Sequence, residues 1–203
     1  MVKEDQAREH LAKINVHKST GSDGMHPHVL RELAEVITEL LSIIFGRSWQ
    51  MGEMPEDRRI ASVTPVFKKG KKADLGNYRL VSLTSIPGEV MEQLVLDVLS
   101  KQLEEKKVTV CSQHGSTKGK SCLTNLTTFC DVITSWVDGG RAVDAVCLDF
   151  SKAFDTVFHT ILVLKLRTVG IDEWMVKWID NWLTGRAQEV VISGAVWLEA
   201  CNH

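Results

Sequence analysis

The sequence predicts an α/β or α+β fold. Segments with helical periodicity alternate with strand-like apolar runs along the 203 residues, without an internal repeat or a low-complexity tract. Hydrophobic residues make up 44% of the chain and charged residues 25%, an ordinary composition for a globular chain long enough to bury a core. The formal net charge of −2 excludes nucleic-acid binding by bulk charge. Any phosphate contact must therefore come from a local basic cluster.

The first half of the chain predicts a helix followed by a hairpin. Pro27 suits the first turn of a helix over residues 27–50. One face of this helix, expected to be core, has apolar residues spaced by three and four: Val29, Leu33, Val36, Leu40 and Ile43 or Ile44. A strand-like run from Ala61 to Phe67, a basic loop over 68–77 and a second strand from Tyr78 predict a hairpin with a charged tip.

Helical spacing recurs over residues 88–107, 121–138 and 172–183. The second of these helices ends at the pair Gly139-Gly140. The third has a tryptophan at every fourth residue, a stripe that is more often core than a binding platform: Trp174, Trp178 and Trp182.

Two strands are predicted in the last third of the chain. Residues 142–150 form a mostly apolar run that is typical of a strand buried on both faces, and the run ends on Asp149 and Phe150. Residues 186–193 predict a last strand.

The sequence indicates an intracellular protein. Its five cysteines have no CxxC spacing, so we expect reduced structural thiols rather than disulfides or a zinc site. The charged N-terminus lacks the apolar run of a signal peptide, and no run of roughly 20 apolar residues could span a bilayer. We expect the cytoplasm, the nucleus or both, without a membrane partner.

Asp149 is the first candidate functional residue. A carboxylate at a strand end can bind Mg²⁺, which prefers one or two carboxylates together with substrate phosphate oxygens. The backbone carbonyl of Phe150 could add a further ligand. On spacing alone, the alternative is that Asp149 caps the following turn.

The hairpin tip is the second candidate site. Five cations fall within twelve residues, with Gly70 and Gly76 between them: Lys68, Lys69, Lys71, Lys72 and Arg79. Such a cluster can clamp a triphosphate or follow a nucleic-acid backbone. The alternative is a solvated charged loop.

Residues 115–121 resemble a phosphate-binding P-loop, with Lys120 in the place of its lysine. The segment follows the strand-like residues 108–110 and opens a helix, as a P-loop does. However, three residues separate its glycines where the motif needs four, so its backbone could not wrap a phosphate in the same way. A P-loop NTPase stays as the rival hypothesis.

Six segments in a fixed order extend over nearly the whole chain: Lys18–Met25, Val63–Lys72, Asn77–Leu83, Gln113–Cys122, Leu148–Asp155 and Asn181–Arg186. Together they resemble the reverse transcriptase of non-LTR (LINE-type) retrotransposons, in the jockey-like and chicken-repeat-like group. The resemblance implies a right-hand polymerase fold, helix-rich with a short incomplete palm sheet. Residues 1–140, approximately, would form the fingers and the fingers/palm helices, and residues 141–203 the first part of the palm.

The same resemblance implies an RNA-directed DNA polymerase that uses Mg²⁺, an RNA template, a DNA primer and deoxynucleoside triphosphates. Asp149 would be its catalytic, metal-binding aspartate, with the Phe150 carbonyl beside it. Arg79 and Lys68 would contact the incoming triphosphate, and the Phe154 ring would exclude a ribose 2′-OH. The remaining basic residues would contact nucleic acid: Lys69, Lys71, Lys72, Lys118 and Lys120.

The sequence also departs from the family pattern. It has neither the Pro-Gln-Gly core nor the Asp-Asp pair that follow in the family, and three positions differ from the usual residue: Leu80, Ser116 and Arg58. We therefore expect a truncated domain without polymerase activity of its own, since two-metal catalysis takes more than one carboxylate. The alternatives are a non-catalytic RNA-binding remnant and the P-loop NTPase.

Overall fold

The computed structural model describes residues 4–55, 59–150, 153, 156–192 and 195–200. The chain divides into two compact units. The main unit comprises residues 1–102 and 158–203, and the small unit comprises residues 103–157. None of the described helices has both the length and the apolar character that crossing a membrane requires.

Seven α-helices lie within the described residues: α1 Glu4–Ala12, α2 Pro27–Glu32, α3 Ala34–Met51, α4 Ile86–Glu105, α5 Cys122–Asp138, α6 His159–Val169 and α7 Glu173–Leu183. Local signals explain their ends. Pro27 occupies the first turn of α2, where its missing N–H loses no hydrogen bond. Gly52, at φ +69°, ends α3 in the left-handed conformation that glycine adopts without strain.

A four-stranded sheet in the main unit consists of β1 Ile60–Phe67, β2 Tyr78–Leu83, β3 Ala187–Ile192 and β4 Ala195–Ala200, in the order β2-β1-β3-β4. The β1–β2 and β3–β4 pairs are antiparallel, and β1 pairs with β3 in parallel. The predicted hairpin and the strand over 186–193 are thereby confirmed, as is the mixed, helix-rich fold class. The pairing of residues 195–200 as β4 was not predicted.

Tryptophan packing dominates the core of the main unit. Trp178 on α7 is 1% exposed, and its indole N–H donates to Ser48 Oγ at 3.1 Å. The Trp49 ring lies 4.4 Å from the Trp174 ring and 6.2 Å from the Trp178 ring, measured between centroids. Trp182 stacks on Trp178 at 5.9 Å. Trp178 is therefore core, as the helical spacing predicted, whereas Trp182 is half-buried and Trp174 is 37% exposed.

The prediction for residues 27–50 was wrong about which face is buried. The residues predicted as core are exposed: Val29, Leu33, Val36, Leu40, Ile43 and Ile44. Leu33 interrupts the helix with φ −90° and ψ 7°, which separates α2 from α3. The buried face of α3 combines small and large side chains: Ala34, Thr38, Leu41, Phe45, Ser48 and Trp49. Because α3 is apolar on more than one face, periodicity alone selected the wrong one.

The small unit contains α5, whose start matches the prediction. Ser121 accepts the backbone N–H of Thr124 at 3.2 Å, and the Thr124 hydroxyl accepts that of Ser121 at 2.8 Å, a reciprocal capping box. The strand predicted over 142–150 is not formed, since these residues have neither helix nor strand structure and Val146 and Leu148 are 82% and 79% exposed. A strand is stable only when it is paired, and no described strand pairs with this segment.

Candidate functional site

The hairpin of β1 and β2 positions the basic cluster at its tip. The backbone N–H of Lys68 donates to the carbonyl oxygen of Asn77 at 2.8 Å, which extends the antiparallel ladder beyond the last strand pair, Phe67 with Tyr78. The Phe67 and Tyr78 rings meet edge to face, with centroids 5.5 Å apart. This hydrogen bond and this ring contact therefore fix the two strand ends from which the loop of the tip extends.

Polar side chains also fix the loop between Lys68 and Tyr78. Asp74 Oδ1 accepts the backbone N–H of Gly76 at 2.9 Å, and Asn77 Nδ2 donates to the Lys71 carbonyl at 3.0 Å. Gly70 has φ +94°, and a Cβ there would lie 2.6 Å from Asn77 Nδ2, so only glycine fits. The basic loop predicted over 68–77 contained Asp74 and Asn77, but their role in shaping the loop was not predicted.

All five cations of the tip are exposed, and none has an ion-pair partner among the residues that the structure describes. Arg79 is opposite Val66, and Lys68 lies two residues beyond Val66. Because strand side chains alternate between faces, Lys68 and Arg79 stand on the same face as diagonal neighbours. Lys72 Nζ lies 5.9 Å from the centroid of the Phe67 ring. The structure thus brings together these cations without neutralising them.

The segment Lys18–Met25 contacts the base of the hairpin. Ser22 Oγ donates to the Ile60 carbonyl at 3.0 Å, at the start of β1. Gly21 lies so close to the end of β2 that a Cβ would be 2.1 Å from the Thr84 carbonyl oxygen. Lys18 Nζ forms an ion pair with Glu89 Oε2 at 2.6 Å. This segment therefore supports the hairpin from one side.

Glu92 is a half-buried carboxyl on α4 beside this support. Burial raises its pKa above the ordinary value of 4.5, against the opposing effect of the Arg186 charge. The Glu89 charge raises the pKa further, and the Lys18 charge lowers it. Arg186 itself lies over the Trp182 ring, 5.1 Å from its centroid. The charged residues that shift the pKa of Glu92 all lie outside the hairpin tip: Arg186, Glu89 and Lys18.

Asp149 is exposed in the irregular segment of the small unit, and Phe150 beside it is 75% exposed. Phe154 lies outside the described residues. Within the described part of the chain, no group of three or more histidine, cysteine or acidic side chains is placed to hold a metal ion. These residues thus offer Mg²⁺ one carboxylate, which does not make a complete site without ligands from substrate phosphates and water.

Residues 115–121, the segment that resembles a P-loop, are held by hydrogen bonds that a P-loop does not have. Lys120 Nζ donates to the carbonyl oxygens of Cys111 and Gln113, the latter at 2.9 Å, which holds the loop together from within. Residues 108–110 form no strand ahead of it. The strand predicted ahead of the loop is therefore missing, although α5 follows the loop as predicted, and Lys120 is bound to its own loop where a P-loop lysine must face a bound phosphate. Lys118 is exposed.

Comparisons with known proteins identify the class of the chain. Residues 68–197, more than half of the 203, match the family model described as reverse transcriptase (RNA-dependent DNA polymerase). The chain therefore belongs to the reverse transcriptase family. The matched region begins at Lys68 and includes the whole basic tip.

The relatives refine this assignment. The chain is 26% identical over 170 residues to the RNA-directed DNA polymerase from mobile element jockey of Drosophila melanogaster, 80% of this chain and 18% of that protein. It is 23% identical over 167 residues to the probable polymerase from transposon BS of the same fly, again 18% of that protein. The Pol polyprotein of retrotransposable element R2 from Popillia japonica is 28% identical over 134 residues, 66% of this chain and 18% of the polyprotein.

These similarities confirm the resemblance to non-LTR retrotransposon reverse transcriptases. The chain spans less than a fifth of the length of each of these three relatives.

Proposed function

We propose that this chain forms the nucleotide-binding and template-binding part of an RNA-directed DNA polymerase. The observation that supports this most directly is the hairpin tip, where five exposed cations have no ion-pair partner in the described structure. Four of them lie in a loop fixed by its own hydrogen bonds, and Arg79 lies on the adjoining strand β2. A fixed cationic surface suits a polyanionic ligand, because no internal salt bridge has to break when the ligand binds.

Within this tip, Arg79 and Lys68 bind the triphosphate of the incoming deoxynucleotide. Their shared face lets the two cations reach one ligand, and arginine can present paired N–H donors to phosphate oxygens. Charge neutralisation by such residues favours nucleotidyl transfer, since negative charge develops on the leaving pyrophosphate. Lys69, Lys71 and Lys72, together with Lys118 and Lys120 of the small unit, contact the nucleic-acid backbone.

Asp149 supplies one carboxylate ligand to a divalent cation in the proposed function, with the Phe150 carbonyl beside it. A divalent cation there would shield the triphosphate charge and orient the reacting phosphate. Phe154 is proposed as the residue that discriminates against ribonucleotides, because its ring would occupy the space of a 2′-OH. The reverse transcriptase family is generally dependent on divalent metals.

A nucleotide-binding assay tests the proposal. Titration of a fluorescent deoxynucleoside triphosphate with Mg²⁺ should give saturable binding that Arg79→Ala weakens about 10- to 100-fold, the range expected for hydrogen bonds to a charged group. Arg47→Ala, which removes an exposed arginine from α3, is the matched control and should leave the affinity unchanged. Equal affinities of the wild-type and Arg79→Ala proteins would contradict the assignment.

The variant Lys120→Ala distinguishes the proposed polymerase function from the hypothesis of a P-loop NTPase. Because Lys120 Nζ donates to two carbonyls of its own loop, we expect nucleotide affinity to persist in Lys120→Ala and to fall in Arg79→Ala. The opposite pattern, with binding lost only in Lys120→Ala, would favour the NTPase.

A further inference from the structure

Arg59 joins the start of β1 to the turn that follows α7. Its Nη1 donates to the Thr184 carbonyl at 2.8 Å, and its Nη2 donates to Asn181 Oδ1 at 3.0 Å. Asn181 Oδ1 also accepts the backbone N–H of Met54 at 2.8 Å. One guanidinium and one amide oxygen therefore connect the chain before β1 to the C-terminal end of α7.

The turn is built to admit this guanidinium. Gly185 adopts φ +67°, and a Cβ at this position would lie 2.9 Å from Arg59 Nη1. A larger residue would therefore both strain the backbone and push against the donor. This accounts for Asn181 and Gly185 in the segment Asn181–Arg186, which had no role assigned from the sequence.

The same residue also begins the parallel ladder. The Arg59 carbonyl accepts the backbone N–H of Ala187 at 3.0 Å, immediately before the first strand pair, Ile60 with Ala187. A shift of one residue in this register would turn every side chain of β1 to the opposite face of the sheet. Val63 would leave the core, where it is 0% exposed, and Lys68 would turn with it.

We infer that Arg59 is a positioning residue, which together with Asn181 and Gly185 clamps the parallel register of β1 against β3. This clamp sets the face on which Lys68 and Arg79 stand. The inference deepens the proposed function and rests on it for the role of those two cations. The clamp itself is a property of the sheet and can be measured without a ligand.

Two measurements on Arg59→Met test the inference. Methionine keeps much of the unbranched stem and removes every donor. We expect amide hydrogen exchange along β1 and β3 to become about tenfold faster, and nucleotide affinity to fall about tenfold. Arg59→Lys, which keeps the charge and an N–H donor, should reduce both effects in part. Arg47→Met controls for the loss of an arginine.

A double-mutant cycle separates positioning from a general loss of stability. If Arg59 acts through Arg79, then Arg79→Ala weakens binding strongly in the wild-type background and little in the Arg59→Met background. Additive effects of the two substitutions would overturn the positioning role, and so would unchanged affinity in a folded Arg59→Met protein. Should Arg59→Met fail to fold by circular dichroism, Asn181→Ser replaces it under the same criteria.

Different results would refute the proposed function and the clamp. Wild-type protein that binds no nucleotide, or binds it equally well after Arg79→Ala, refutes the proposed function. Unchanged amide exchange in Arg59→Met refutes the clamp, whatever the outcome of the binding experiments.

Discussion

The hairpin tip makes a quantitative prediction about salt. In the triple variant Lys69→Gln, Lys71→Gln and Lys72→Gln, three of its five cations are removed. The loop geometry should survive, because its hydrogen bonds use the backbone carbonyls of Lys71 and Lys72, which accept from Asn77 and Tyr78, rather than the lysine side chains. The contact of Lys72 with the Phe67 ring is lost, at a cost of about 0.5–1 kcal/mol for an exposed cation–π pair.

The magnitude follows from counterion release. Each cation that neutralises a phosphate of single-stranded nucleic acid contributes about −0.7 to the slope of log K against log salt concentration. The five lysines assigned to the nucleic-acid backbone therefore give a slope of about −3.5: Lys69, Lys71, Lys72, Lys118 and Lys120. In the triple variant the slope of log K against log salt concentration should be less negative by about 2, because three of these contacts are lost. Between 50 and 200 mM KCl the wild-type affinity should then fall by about 100-fold, and that of the variant by about sevenfold.

Fluorescence anisotropy of a labelled single-stranded RNA, measured across this salt range, gives both slopes. A matched triple variant removes the same charge from exposed lysines outside the hairpin: Lys13→Gln, Lys165→Gln and Lys177→Gln. Its slope should equal that of the wild type. Identical slopes for all three proteins, or an equal decrease in the two triple variants, would refute binding through the tip.

Three further predictions concern the scaffold. Trp178→Ala should lower the free energy of unfolding in urea by about 3–5 kcal/mol, since it empties a fully buried site and leaves Ser48 without its indole donor; a change below 1 kcal/mol would contradict this packing. Gly21→Ala should lower it by about 1–3 kcal/mol, because its Cβ would overlap the Thr84 carbonyl, and thermal melts of both proteins measure this. The raised pKa of Glu92 means that the folded state binds its proton more tightly than the unfolded state. Wild-type stability should therefore lose a contribution as pH rises above 4.5, and urea titrations across pH should show Glu92→Gln without this loss.

Local patterns in the sequence predicted those parts of the fold that short-range physics determines. The alternating strands on either side of a glycine-containing basic loop specified the β1–β2 hairpin, and helical spacing specified α4, α5 and α7. Pairings between distant segments were not predictable in this way. The parallel pairing of β1 with β3 depends on Arg59 and Ala187, which are far apart in the chain.

The wrong predictions for α3 and for residues 142–150 have the same physical origin. For α3, the sequence contained two apolar faces, and the choice between them depends on which one its neighbours cover. For residues 142–150, the apolar run has strand character, but strand structure requires a partner, and none of the described strands pairs with it. In both cases the deciding term is a tertiary contact that local periodicity does not contain.

The candidate site likewise has residues that the sequence identified and residues whose role only the structure shows. Residue type alone identified the cations of the tip as a candidate site, with a solvated charged loop as the alternative. The residues that hold them in place had no evident chemistry in the sequence: Asn77 and Asn181 belonged to segments of the resemblance, Asp74 to the basic loop, and Arg59 to neither. The structure supplies that chemistry for Asp74 and Asn77 in the loop, and for Arg59 and Asn181 at its base.

Two of the sequence segments that have no candidate catalytic or binding residue contact the base of the hairpin. Ser22 and Gly21 approach β1 and β2 through Ile60 and Thr84, and the segment Asn181–Arg186 approaches β1 through Arg59. The segments Lys18–Met25 and Asn181–Arg186 thus support the hairpin. The hairpin itself contains the segments Val63–Lys72 and Asn77–Leu83. A nucleotide-binding surface made of exposed side chains depends on the precision of its backbone, because exposed side chains have little packing of their own to orient them. Selection for binding at the tip would therefore act on glycine and asparagine at the base as strongly as on the cations.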